Sequence, residues 1–207
     1  MNVLVIGSTG KTGRILVRRL LELGHNVSAF ARNPADISEA GQKLRVVQGD
    51  ARDRNSVANA LREQEAVISV FGPRSLKADD LSETLMRNIV AAMKTHGVRR
   101  VINLSAAGVG DSLSEMPFVL RMVLIPLVLG KVYADKARGE AVLFSSGLEF
   151  VNVRPGRLSD GPARGGVRAS LHANGLKLQM TREDLTNFLI EQLTSSAWLG
   201  QSPLLGY

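Results

Sequence analysis

Seven residues into the chain, a glycine-rich turn separates an apolar run from a segment with helical spacing. The run is Val3-Leu4-Val5-Ile6, and the turn is Gly7-Ser8-Thr9-Gly10-Lys11-Thr12-Gly13. The helical segment runs from Lys11 to Leu23, with Ile15, Leu16, Leu20 and Leu23 apolar, and Gly24 follows as a C′ glycine. A short, fully apolar run suits a strand buried on both faces of a parallel sheet. Glycines in such a turn permit a tight bend, close approach of backbone to a pyrophosphate, and close packing of helix on sheet. The helix that follows offers free N–H groups and a partial positive charge to phosphates. The glycine spacing here is three and three, a variant of the usual dinucleotide fingerprint.

The rest of the chain repeats the alternation. Strands are expected over Asn26–Ala31, Leu44–Gln48, Ala66–Phe71, Arg100–Ser105 and Phe150–Arg154. Helices are expected over Asp53–Arg62, Asp80–His96 and Ala134–Ser146, the last two stopped at Gly97 and Gly147. Thr181 is the expected N-cap of a final helix ending near Thr194. Strands alternating with helices imply right-handed crossovers and a doubly wound α/β fold of the Rossmann type. At 207 residues, this is expected to be one NAD(P)-binding domain over 1–207, with the tail after Gly161 as a small substrate-side appendage.

Ligands of such sheets bind outside the carboxyl ends of the strands. The second strand ends Ala31-Arg32-Asn33, where NAD-binding folds usually carry an acid for the ribose 2′-hydroxyl. A guanidinium there fits a 2′-phosphate, so the reading favours NADP(H) over NAD(H). A plain surface arginine is the competing reading. Gly49-Asp50 ends the third strand, where an acid can accept from the adenine amino group. Phe71-Gly72-Pro73 ends the fourth, where a glycine lets a cofactor pass close.

Composition excludes several classes. The chain has no cysteine, so disulfides and thiolate chemistry are absent and a reducing, cytoplasmic compartment fits. His25, His96 and His172 are far apart in sequence and are read as surface or structural residues rather than metal ligands. The net charge is +7, yet aromatics are only 4% of residues and the arginines are scattered, so a nucleic-acid surface is not expected. Met1 to Ile6 already reads as a strand with no basic segment before it, so no leader is expected. The apolar stretch Met116–Val132 is broken by Arg121, Pro126 and Gly130 and is too short to be expected to insert in a membrane.

The glycine turn, Arg32 and Gly49-Asp50 resemble those of atypical short-chain dehydrogenases/reductases of the NmrA-like kind. So do Arg87-Asn88-Ile89-Val90-Ala91-Ala92-Met93-Lys94, His96-Gly97-Val98, Ser146-Gly147-Leu148, Val153-Arg154-Pro155-Gly156 and the terminal Tyr207. Within that family the likeness is to the biliverdin/flavin reductase group. The resemblance implies that Gly7, Thr9, Gly10, Thr12 and Gly13, with Lys11 among them, hold the pyrophosphate. It implies that Arg32 binds the 2′-phosphate, Asp50 faces adenine and Gly72 borders the ribose. Ser105 matches a serine beside the nicotinamide, Lys136 a lysine on the nicotinamide ribose, and Pro155 and Gly156 a segment cradling the carboxamide. Met116–Val132 would lie over the nicotinamide mouth, either as core packing or as an apolar lid.

One position departs from the ordinary pattern. Typical members carry tyrosine four residues before the lysine, as general acid. Position 132 is Val, and Tyr133 is rotated by roughly 100° on a helix. The resemblance therefore implies hydride transfer to a planar conjugated acceptor, such as a flavin, quinone or tetrapyrrole-like molecule, by a monomer or small homo-oligomer. A non-catalytic NADP(H) sensor and an NAD(P)-dependent epimerase or dehydratase are the competing functions.

Overall fold

The structure, a computed structural model, describes residues 1–72 and 80–207. Pro73, expected beside Gly72 at the end of the fourth strand, lies outside the described residues.

β1 (Asn2–Ile6) pairs in parallel with β2 (Asn26–Ala31) on one side and β4 (Ala66–Ser69) on the other. β3 (Leu44–Gln48) extends the sheet beyond β2. On the other side, β5 (Arg100–Leu104) and β6 (Glu149–Pro155) follow β4, again in parallel. Side chains of β1 alternate between two cores. Val3 and Val5 pack with Leu16, Val17 and Leu20 of α1 (Lys11–Glu22) and with Leu185 and Leu189 of α5 (Arg182–Glu191). Leu4 and Ile6 pack on the opposite face with Val57 of α2 (Arg54–Ala60), Ile89 and Met93 of α3 (Leu81–His96) and Leu143 of α4 (Gly130–Phe144). Helices thus cover both faces, which is why these strands read as continuous apolar runs. The strand order reverses between β1 and β4, and that reversal opens the crevice in which doubly wound folds bind ligands.

The expected helix stops hold. Gly24 and Gly97 adopt φ of 83° and 71°, the left-handed conformation that ends a helix most easily in glycine. Thr181 caps α5 by accepting from the Asp184 N–H at 3.1 Å.

Three features differ from expectation. Short strands β7 (Arg157–Ser159) and β9 (Gln179–Thr181) form a separate two-stranded sheet. The tail after Gly161 also contributes to the main sheet. β10 (Leu204–Gly206) pairs in parallel with β6, and β8 (Arg168–Ser170) pairs antiparallel with β10, giving eight strands. Finally, α4 begins at Gly130, four residues before the expected start, because a ten-residue π-helix, Leu120–Leu129, runs directly into it. Only part of that stretch is core. Met116 and Ile125 are buried, while Phe118 and Leu127 are 69% and 80% exposed.

Candidate active site

The glycine turn is built from packing demands that differ at each glycine. Gly7 has φ of 87°, and a Cβ there would sit 2.9 Å from the backbone of Val70 and Phe71. A Cβ on Gly13 would fall 2.1 Å from the Gly7 carbonyl oxygen, so α1 approaches the turn as closely as backbone permits. Ser8 anchors the turn by donating to the Phe30 carbonyl at 2.8 Å. Gly10 is different. Its φ is −76°, and a Cβ would meet only the Gly7 oxygen, at 3.3 Å. Its conformation does not require glycine, and that one contact, though tight, asks only a few tenths of an ångström of the backbone; it is exposed at the N-cap of α1 with no side-chain cap. Gly72 shares this property, since a Cβ on it meets nothing within 4 Å among the described residues. Two glycines at neighbouring strand ends that the protein does not itself need are what close approach of a cofactor would require. The residues present therefore fit a dinucleotide.

The other expected residues lie around the same crevice. Thr12 is buried in the first turn of α1, and Thr9 is half-buried. Arg32 is exposed just past β2, and its guanidinium has no partner among the described residues. Arg14, which the sequence reading passed over, donates to the Asp36 carbonyl and to Ser38 Oγ, both at 2.6 Å. It thereby ties the loop after Arg32 to α1. Asp50 has a structural role of its own, one carboxylate oxygen accepting from the Arg52 N–H at 2.9 Å. The Lys11 ammonium lies 2.9 Å from Asp160, which also receives Arg182, so the turn is bridged to the segment after β7. Gly156 has a packing reason: a Cβ would fall 2.0 Å from the Leu178 carbonyl oxygen. Pro155 is buried at the end of β6.

The chemistry-bearing pair sits past β5. Ser105 and Lys136 line one cleft with Ser69, Phe71, Met86 and Asn103. Ser105 is 6% exposed, and its Oγ has no hydrogen-bond partner among the described residues. An orphaned buried hydroxyl is costly unless something in the cleft completes it. Lys136 Nζ is 3.4 Å from the Leu104 carbonyl. Burial holds its pKa below the usual lysine range, with the Glu140 and Asp135 carboxylates pulling the other way. One turn earlier on α4, Val132 is buried. Tyr133 packs instead with Met116 and Ile125, its ring edge beside Gly108. Burial pushes its phenol pKa up, the reverse of what a general acid activated by a lysine needs.

α4 is held in register by carboxylates invisible to motif reading. Asp135 accepts from the Ser82 and Glu83 N–H groups at the start of α3. Glu140, one turn after Lys136, binds Arg154 through both oxygens, at 3.2 and 2.6 Å, and accepts from Asn152 at 2.9 Å. Arg154 also reaches Asp111 at 2.7 Å, tying the loop beyond Ser105 to β6. The histidines expected to be surface or structural residues are placed as follows. His96 is exposed, but His172 has an acidic partner, Glu115, 3.2 Å away. No group of residues suited to a metal occurs among the described residues.

Fold and crevice together define a nucleotide-binding α/β scaffold. Residues 7–196 match the NAD(P)H-binding family, and the chain belongs to it. Among curated relatives, it is 37% identical over 109 residues to a 3-diazoavenalumate denitrifying reductase of Streptomyces, covering 52% of this chain and 34% of that protein. The chain spans about a third of the length of the first curated relatives it matches. Among solved structures, ChuY, an anaerobillin reductase from Escherichia coli O157:H7, superimposes with a TM-score of 0.84 at 24% identity, covering 100% of this chain and 97% of that one. A short-chain dehydrogenase/reductase from Veillonella parvula, solved with NADP, gives 0.82 at 20% identity, covering 100% and 94%. The family and fold expected from the resemblance are thus borne out.

Proposed function

We propose that the chain is an NADPH-dependent oxidoreductase acting on a planar conjugated acceptor of the flavin, quinone or tetrapyrrole kind. The observation that carries this reading is the Ser105–Lys136 cleft with valine, not tyrosine, one turn before the lysine. Family membership and the reductases among its relatives support the same class of activity.

In this reading Gly7, Thr9, Gly10, Thr12 and Gly13 hold the pyrophosphate, and Lys11 exchanges Asp160 for a phosphate. Arg32 takes the 2′-phosphate, Asp50 the adenine edge, and Gly72 the ribose. Pro155 and Gly156 offer backbone to the carboxamide. Bound reduced nicotinamide would supply a hydride. Lys136 orients the ribose through its ammonium. Ser105 donates a hydrogen bond to the carboxamide or to an ordered water at the acceptor. A conjugated acceptor spreads the incoming charge, so no strong protein acid is needed. A cytoplasmic location belongs to the same proposal, supported by the cysteine-free composition.

The test is NADPH oxidation against a panel of FMN, quinones and linear tetrapyrroles. Turnover with one or more supports the proposal. Tight NADPH binding with no oxidation across the panel would instead indicate a cofactor sensor.

A further inference from the structure

The π-helical segment leaves most of its large side chains in solvent. Phe118, Val119, Met122, Val123, Leu127 and Val128 are exposed, while Met116 and Ile125 anchor the segment from below. Hydrogen bonds in a π-helix run between i and i+5, so 122–123 and 127–128 fall on one broad face, turned away from buried Ile125. An uncovered apolar face of this size marks a surface that docks on something apolar.

The charge distribution supplies a second, independent observation. Residues 116–134 carry Arg121 and Lys131 and no Asp or Glu. Residues 161–182 carry Arg164, Arg168, Lys177 and Arg182, again with no Asp or Glu. The two segments are packed together. Met116 and Ile125 share a cluster with Ala173, Leu176 and Leu178, and Glu115 binds His172 and the Ala173 N–H. Exposed Leu171 adds to the apolar surface. Of the nearby acids, Asp111 pairs with Arg154 and Asp160 with Lys11 and Arg182, while Glu115 accepts from the Ala173 N–H and is offset by His172 only when that imidazole is protonated.

We propose that this face docks on a bilayer surface containing anionic lipid. Phe118, Met122 and Leu127 enter the boundary between headgroups and acyl chains, and Arg121, Lys131 and Lys177 meet the phosphates. A second copy fits poorly, because symmetric pairing would set basic side chains against each other with no acid opposite. Docking differs from spanning, and no helix among the described residues is long and apolar enough to cross a membrane. It is independent of the reductase reading, since it rests on surface residues outside the cleft.

The experiment is co-sedimentation of the full chain with vesicles of phosphatidylcholine alone and of phosphatidylcholine mixed with phosphatidylglycerol. The chain should pellet with the anionic vesicles, remain largely in the supernatant with the neutral ones, and dissociate as salt is raised. The double variant Phe118→Ser, Leu127→Ser should lose about ten-fold or more of that partitioning with an unchanged circular dichroism spectrum. The pair Lys131→Glu, Lys177→Glu should lose binding to anionic vesicles likewise. Failure of the parent chain to pellet, or equal pelleting of the variants, overturns the proposal. So does sedimentation velocity showing a dimer that the serine variant abolishes while vesicles bind neither protein.

Discussion

Lys136 and Ser105 line one cleft, the lysine ammonium 3.4 Å from the carbonyl of Leu104 and the serine hydroxyl with no hydrogen-bond partner among the described residues.

Lys136 gives a pH prediction. Its pKa is lowered by burial, so the ammonium is lost at a pH below that of an ordinary lysine. If the ammonium orients the ribose, the Michaelis constant for NADPH should rise with pH through that lowered pKa. Lys136→Ala should raise the constant at neutral pH and flatten the alkaline rise. A parent enzyme whose NADPH affinity is unchanged until the ordinary lysine range would contradict this assignment.

Arg32 should discriminate between cofactors. Losing a charge-assisted pair costs on the order of 1.5–3 kcal/mol, roughly ten-fold or more in affinity. Arg32→Ala should therefore weaken NADPH by that amount and leave NADH nearly unaffected, as read by fluorescence titration. Equal losses for both would remove the 2′-phosphate assignment.

Gly10 and Gly13 should respond differently to the same substitution. Gly10→Val should fold, because a Cβ there meets only one atom, at 3.3 Å, yet it should abolish cofactor binding. Gly13→Val should fail to fold stably, since its Cβ would sit 2.1 Å from backbone. Unchanged NADPH affinity in a folded Gly10→Val protein would falsify the role given to the turn.

The Glu140–Arg154 pair is buried, with side chains 3% and 2% exposed. Glu140→Ala would leave the buried guanidinium with only the exposed Asp111 as ionic partner, a loss of up to about 3–5 kcal/mol and roughly 10 °C in Tm. Replacing both residues with Met should recover much of that loss. A thermal melt of Glu140→Ala that matches the parent would show that the pair holds nothing in place.

How much of this was legible in the sequence depends on the range of the interaction. β1, the glycine turn and α1 were readable because strand periodicity, glycine spacing and the stop at Gly24 are local. β8 and β10 were not, since three-residue strands carry too little pattern and are defined by their partners. The π-helix was hidden because Leu120–Leu129 is apolar at nearly every position, so no period shows, and Pro126 reads as a break. Carboxylate partners were hidden as well. Asp135 caps a helix 53 residues away, and Glu115 meets His172 across 57. The cleft was readable in its residues, through the resemblance, but the orphaned Ser105 hydroxyl and the raised pKa of Tyr133 come only from burial.

The central claim is reduction without a tyrosine acid, and steady-state NADPH oxidation with FMN or a quinone tests it most directly in Tyr133→Phe beside Ser105→Ala. Tyr133 is packed against Met116 and Ile125 with its pKa raised by burial, which fits a hydroxyl with no part in proton transfer. Tyr133→Phe should keep turnover nearly unchanged, while Ser105→Ala lowers it by about ten-fold, less than loss of a general acid. Loss of a hundred-fold or more on Tyr133→Phe alone would contradict the claim and make the protein an ordinary tyrosine-dependent carbonyl reductase.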